Sequence, residues 1–252
     1  MKKIAKALIM AFILSYCGQV MAQMDAYLCI GASIPTGNYA KGDIDNWALY
    51  DDCSYGGAGI GFSGGLKFNF GVGVNGLSLM LTVDGIYNNL NTNIKDYYSS
   101  FSDMLTAEYN GGSSLTTEKY VNLPMMLGIN YTYYFNPEFG IYAETAAGLN
   151  WRIITKQEWV GTTLHDDGEI EKKTVTYKYN SAYGFAFRAG IGIEAGERLI
   201  VGLNYLYVGG RQASGRKTNS VYFQGITAPV SEKFENGIVS PKMFLVSLGF
   251  RL

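Results

Sequence analysis

The chain has 252 residues, 48% hydrophobic, 14% aromatic and 16% charged, with 32 Gly, 5 Pro and a formal net charge of −1. Aromatic content this high rules out a disordered chain, and this much glycine argues against a helical bundle or coiled coil. Near-zero charge leaves no polybasic signature for nucleic acid, so a compact all-β protein remains.

Lys2, Lys3 and Lys6 precede the apolar run Ala7 to Leu14, and Val20-Met21-Ala22 closes the segment with small residues just before Gln23. That is the build of a secretory signal peptide, expected to cover residues 1–22 and to be removed on export. The apolar run falls short of the roughly 20 residues a spanning helix needs. Leu14-Ser15-Tyr16-Cys17 approximates a lipid-attachment box, but Tyr16 stands where a small residue is expected. Residues 23–252 then form one domain, more acidic than the precursor because three lysines leave with the leader. Of its cysteines, Cys29 and Cys53 could form one bridge in an oxidising compartment; geometry decides whether they do.

The mature chain alternates with period 2. In Leu77-Ser78-Leu79-Met80-Leu81-Thr82-Val83-Asp84 the odd positions are hydrocarbon and the even ones include Ser, Thr and Asp. The same reading predicts eight strands at about 24–34, 57–70, 77–87, 120–134, 139–152, 183–195, 199–208 and 242–252. Their lengths suit tilted strands crossing a bilayer. Connections alternate between long (Pro35–Ser54, Asn88–Lys119, Ile153–Ala182, Gly209–Pro241) and short (Gly71–Gly76, Phe135–Glu138, Gly196–Arg198). Long outer loops and short periplasmic turns on an even number of strands predict an eight-stranded antiparallel up-and-down transmembrane β-barrel.

A soluble lipocalin-like binder has the same strand count with the facing reversed. Here the polar face carries Gly31, Gly61, Gly65, Gly128, Gly190 and Gly192, small residues suited to a crowded axis. The opposite face carries Ile60, Phe62, Leu66, Leu127, Ile129, Phe185, Ile191 and Leu203. That facing predicts a polar lumen and an apolar exterior. Tyr87, Tyr131, Tyr133, Tyr134, Tyr183, Tyr205, Tyr207 and Phe250 fall near strand ends, as interfacial girdles do. Pro124, a few residues into its strand, is expected to mark a bulge near the outer rim.

Three stretches carry a resemblance: Gly31-Ala32-Ser33-Ile34-Pro35-Thr36-Gly37, Tyr120-Val121-Asn122-Leu123-Pro124 and Ser247-Leu248-Gly249-Phe250-Arg251-Leu252. With them the mature chain resembles the outer-membrane protein β-barrel domain family, the small OmpA/OmpX-like barrels of Gram-negative bacteria. The resemblance implies a C-terminal assembly signal, here Phe244, Val246, Leu248, Phe250 and Leu252, read by the barrel-assembly machinery. This chain ends in Leu252 where the family's usual terminal residue is Phe.

Lys67, Asp84, Glu144, Arg188 and Glu194 share the lumen-facing parity. An eight-stranded interior is just wide enough for side chains, so these charges are expected to meet as a structural network that plugs the barrel. The alternative is a small porin-like channel selecting ions with the same charges. The single histidine lies in His165-Asp166-Asp167-Gly168, between Glu158–Thr163 and Thr174–Tyr179, which reads as a hairpin tip. An exposed tip is poor ground for a rim-located lipid-modifying enzyme, so no catalytic, metal or cofactor-binding residue is assigned. Trp47, Tyr97, Tyr98, Phe101, Tyr109, Trp159, Tyr222 and Phe223 are interleaved with polar residues in the outer loops. They suit either loop self-packing or recognition of a surface ligand or envelope partner. The expectation is therefore a monomer embedded in outer-membrane lipid, with a structural or surface-interaction role.

Overall fold

The computed structural model describes residues 24–41, 57–109, 112–116, 119–165, 168–196, 198–224 and 226–252. The leader, Trp47, Cys53, Asp166 and Asp167 lie outside them. In chain order the elements are β1 (Met24–Pro35), β2 (Ala58–Gly71), β3 (Leu77–Leu90), α1 (Thr92–Tyr109), β4 (Gly112–Thr116), β5 (Tyr120–Asn136), β6 (Phe139–Ile154), β7 (Gln157–Leu164), β8 (Ile170–Tyr179), β9 (Ala182–Ala195), β10 (Leu199–Val208), β11 (Arg211–Phe223), β12 (Ile226–Val239) and β13 (Lys242–Arg251).

β1, β2, β3, β5, β6, β9, β10 and β13 close into an antiparallel barrel in which every strand pairs with its neighbours along the chain. The last strand meets the first over its full length, from Tyr27 opposite Arg251 to Pro35 opposite Met243, so no sheet edge is left to face lipid. The short ends have ordinary turn chemistry. Gly73 and Gly76 both take positive φ in the β2–β3 turn, and the carbonyl of Gly76 accepts from Thr132 N–H at 2.8 Å. In the β5–β6 turn the Asn136 side chain accepts from Glu138 N–H at 2.9 Å.

Outward positions carry the hydrocarbon. Ile60, Phe62, Leu79, Leu127, Ile129, Leu149, Phe185, Ile191, Leu203 and Val246 are all exposed, while Met80, Thr82 and Asp84 on the other parity are buried. Aromatic side chains collect at both ends of this belt. Phe62 stacks on Tyr87, Trp151 on Tyr183, and Tyr205 meets Phe244 toward the outer end; Tyr131, Tyr133, Tyr134, Phe135, Phe139 and Phe250 ring the other. No described helix is long and apolar enough to cross a membrane.

Pro124 departs from expectation: it makes no bulge. Pro124 stays opposite Asn150 in an unbroken β5–β6 register, and Met125 opposite Val83 and Asn122 opposite Ile86 keep one frame across β3. The missing N–H costs a local gap in pairing toward β3, and the buried ring fills lumen space instead.

The outer connections are not open loops. β4, β7, β8, β11 and β12 form a second sheet in the order β12-β11-β8-β7-β4. It is an upward continuation of barrel strands. Tyr120 faces Ile154 in the wall, and four residues further along each strand Thr116 faces Glu158. Arg152 faces Ala182, and five residues on Gln157 faces Tyr177; Val208 faces Ala186, and seven residues on Gly215 faces Tyr179. Tyr207 opposite Lys242 and Ser214 opposite Glu235 also share one frame, across an irregularity between Gln212 and Ser214. The strands break briefly at the rim, and the inward parity changes there. Ile154 is buried below the break and Gln157 above it, with Tyr177 buried beside Gln157.

Candidate functional site

The lumen has two layers of different chemistry. Toward the periplasmic end lies a cluster of four buried charges on four strands. Lys67 (β2) places Nζ 2.6 Å from Glu144 Oε2 (β6), donates to Asn130 Oδ1 at 3.3 Å and sits 4.3 Å from the Tyr142 ring centroid. Arg188 (β9) donates from Nη1 to Asp84 Oδ2 (β3) at 3.0 Å. Its Nε lies 2.9 Å from Glu144 Oε1 as an ion pair, off the line a hydrogen bond needs. Two cations and two carboxylates make a neutral set, and Glu144 bridges the cations. Neutrality matters because a surplus charge here would be buried without compensation.

Glycine gives these side chains room. A Cβ on Gly65 would fall on the Asp84 carboxylate opposite, and Cβ atoms on Gly192 or Gly202 would fall on the Tyr142 phenol. Glu194 stands apart from the cluster. It is half-buried nearer the mouth, accepting from Tyr27 and Tyr134 hydroxyls, both at 3.1 Å. With Asp25, which pairs with Arg251, it lines an open polar recess of about 400 Å³ at the periplasmic mouth.

The outer half of the lumen holds an apolar cluster beside buried Ser33, Asn88, Asn122, Asn150 and Arg152, a mixture that the expectation of a polar interior gave only in part. Ile86, Leu90, Met126, Leu206, Val208, Met243 and Leu245 are buried there with Ala146 and Ala186, in a cluster that also takes in Met80, which lies below Asp84 on β3. An eight-stranded interior has no room for water between walls, so hydrocarbon packs there as in any core. The signal was present in Leu206 and Val208, and in Met243 and Leu245, at inward parity, but these sat within nearly continuous apolar runs. Two elements cap this cluster. Tyr39, on a single 3₁₀ turn after β1, is fully buried and meets Tyr120 edge-on at 5.7 Å; Ile94 of α1 is also buried. Burial pushes the Tyr39 phenol well above its usual pKa, opposed by the Asn122 amide donating to its oxygen at 3.5 Å. Polar pairs tie the layer to the wall: Asn88 donates to Ser33 Oγ at 3.0 Å and Asn150 to Asn122 at 3.1 Å.

His165 lies at the β7–β8 tip, its Nε2 3.3 Å from Glu171 and its ring edge-on to Phe223 at 5.6 Å. Among the described residues no group of three His, Cys, Asp or Glu is placed to hold a metal. Cys29 is buried in the wall of the lumen. Phe244, Val246 and Phe250 on β13 are outward, as is the exposed Leu252 at the chain end. Leu248 is on the same face, half-buried.

A closed, even-stranded barrel with hydrocarbon outside and a charge-bearing, filled interior is an integral membrane β-barrel of the outer-membrane type. No family model and no curated protein matches the chain. Among solved structures it is similar to the outer membrane protein OprG from Pseudomonas aeruginosa, at 11% identity over 91% of this chain and 96% of that one, TM-score 0.45. It is also similar to a major outer membrane protein from Thermus thermophilus (12% identity, 91% and 99% covered, TM-score 0.42). The attachment invasion locus protein Ail of Yersinia pestis is similar at 10% identity, with 91% and 99% covered and a TM-score of 0.38. What is shared at such identities is the barrel; roles do not travel with it.

Proposed function

We propose that this protein is exported with cleavage after Ala22 and inserted into a Gram-negative outer membrane through its C-terminal strand, Phe244, Val246, Leu248, Phe250 and Leu252. There it serves as a monomeric, non-enzymatic scaffold that holds a rigid sheet above the membrane for contact with a surface ligand or envelope partner. The observation that carries this reading is the division of labour along the axis. The lumen is filled by the Lys67–Glu144–Arg188–Asp84 cluster and sealed above it by apolar side chains under Tyr39 and Ile94, while five strands continue outward as an ordered sheet. A lumen filled by side chains supports a structural plug over a porin-like conduit, because an ion would have to displace a packed apolar cluster and the paired Asn88–Ser33 and Asn150–Asn122 side chains to pass. The half-buried position of His165 at the β7–β8 tip, against Glu171 and Phe223, likewise favours a turn over a shielded catalytic group.

Two measurements on protein from outer-membrane fractions test this. Electrophoretic mobility should shift on boiling, and purified protein in planar bilayers should give no discrete conductance steps. Stable ion-selective steps would replace the scaffold with the channel, and soluble periplasmic protein would restore the lipocalin-like alternative. Sequencing the mature N-terminus should read Gln23.

A further inference from the structure

The raised sheet has two unlike faces. The face carrying Gln157, Tyr177 and Tyr179 leans over the barrel mouth; the opposite face is polar in its lower rows, below exposed Tyr222, Leu164 and Ile170 near the tip, and across those rows runs a line of cations. Lys178 on β8 stands directly opposite Arg216 on β11, and Arg216 directly opposite Lys233 on β12. All three are exposed. Among the described residues none has a carboxylate in ion-pair range. Of the acids sharing that face, Glu158 is held by Lys156 at 3.2 Å and Glu235 sits one row lower, opposite Ser214. Like charges directly opposite one another on adjacent strands destabilise a sheet. Such a row in a chain of net charge −1 is no by-product of a basic composition.

The surroundings specify the counter-charge. The next row toward the tip is Thr176, Thr218 and Ser231, with the last two hydroxyls 3.2 Å apart, and the row beyond begins Thr174 and Ser220. Cations backed by hydroxyl groups on a rigid surface match phosphate oxygens attached to a hydroxyl-bearing sugar. Height narrows the source. Lys178 is five residues beyond Tyr183 of the outer aromatic belt, at most about 16 Å further along the strand and less once strand tilt is counted. Arg216 and Lys233 in the same row are each eleven residues beyond Tyr205 and Phe244 of that belt, so the row stands well above the hydrocarbon boundary, at the level of large, sugar-extended headgroups in the leaflet that surrounds the barrel.

We propose that Lys178, Arg216 and Lys233 form a docking row for the phosphates of a phosphorylated saccharide headgroup on a glycolipid of the same outer leaflet. This rests on the membrane reading above. The row ties the raised sheet sideways to the lipid surface and offsets its own self-repulsion with phosphate charge.

The test uses the full mature chain, folded in zwitterionic detergent. Wild type and the triple variant Lys178→Gln, Arg216→Gln, Lys233→Gln are titrated with rough lipopolysaccharide bearing core phosphates, with the same material after phosphatase treatment, and with free inositol hexakisphosphate. Lys172→Gln, Lys173→Gln serves as a control near the tip. A boiling-dependent mobility shift in every variant keeps the barrel itself out of the outcome. Expected is saturable binding of the phosphorylated glycolipid that weakens with salt, falls about tenfold or more in the triple variant and holds in the tip control. Equal binding by wild type and triple variant, or equal binding of the phosphatase-treated glycolipid, overturns the proposal. Binding of free inositol hexakisphosphate with none of the glycolipid overturns the lipid source.

Discussion

The barrel wall has a low side and a tall side. β1, β2 and β3 stop at the outer rim, where the side chains of Tyr39 and Ile94 close over the lumen. β5, β6, β9, β10 and β13 continue past it into the raised sheet in the same frame, with one local irregularity at Gln212–Ser214. Both sides are reached by long connections, so loop length alone does not distinguish a cap from a platform. What distinguishes them is whether pairing survives the rim. Where it lapses, the chain turns inward and packs; where it persists, the backbone remains satisfied by its neighbours and the sheet stands on its own.

The most disruptive change lies below both sides. Arg188→Met leaves Asp84 and Glu144 buried with one cation between them, and should lower folding stability by about 3–5 kcal/mol in urea titrations of protein in lipid vesicles. A loss below about 1 kcal/mol would mean that the cluster is solvated. Ile129→Arg, on the lipid side of the wall, should cost ~2–4 kcal/mol at the midplane and reduce the heat-shifted fraction. Normal assembly of that variant would invert the facing. On the low side, Ile94→Ala removes a fully buried cap residue and should cost about 2 kcal/mol or slightly more. A full loss of the barrel from that change would mean the cap is part of the membrane fold instead of a cover on it. On the tall side, His165→Ala gives up only a part-buried contact with Glu171 and one ring edge, and should shift stability by about 1 kcal/mol or less. A marked drop in its unfolding midpoint would show that the tip governs the sheet below.

Much of this was legible in the sequence because a membrane barrel writes its facing with period 2. Ser78, Met80, Thr82 and Asp84 alternate with Leu77, Leu79, Leu81 and Val83, and the structure puts the second set outside. The Glu158–Thr163 and Thr174–Tyr179 segments also read correctly as a hairpin. The continuity of that hairpin with β6 and β9 did not, since the inward parity shifts at Thr155-Lys156 and Asn180-Ser181, and a one-residue phase change erases a periodic signal. α1 was hidden for another reason. Thr92–Tyr109 mixes polar and aromatic residues with no clean stripe, and among its described side chains Ile94 alone is buried. The grouping of Lys67, Asp84, Glu144 and Arg188 depends on contacts between strands far apart in the chain. Parity could place all four inside, but not say that Glu194 would turn to Tyr27 and Tyr134 instead.

The shared frame of wall and raised sheet also bears on how the barrel comes together. Phe139 and Ala195 must meet at the periplasmic end although a long stretch of chain separates them. As a slack loop, that stretch would impose an entropy of closure before any contact formed. Here Leu164 pairs with Ile170 across a short turn, and the pairs below it run in one frame to Gln157 and Tyr177 and, past a brief break at the rim, on from Arg152 and Ala182, so each closure needs only a short loop beside the pair above it. The outermost part of the molecule thereby shortens the search that the membrane-embedded wall would otherwise have to make.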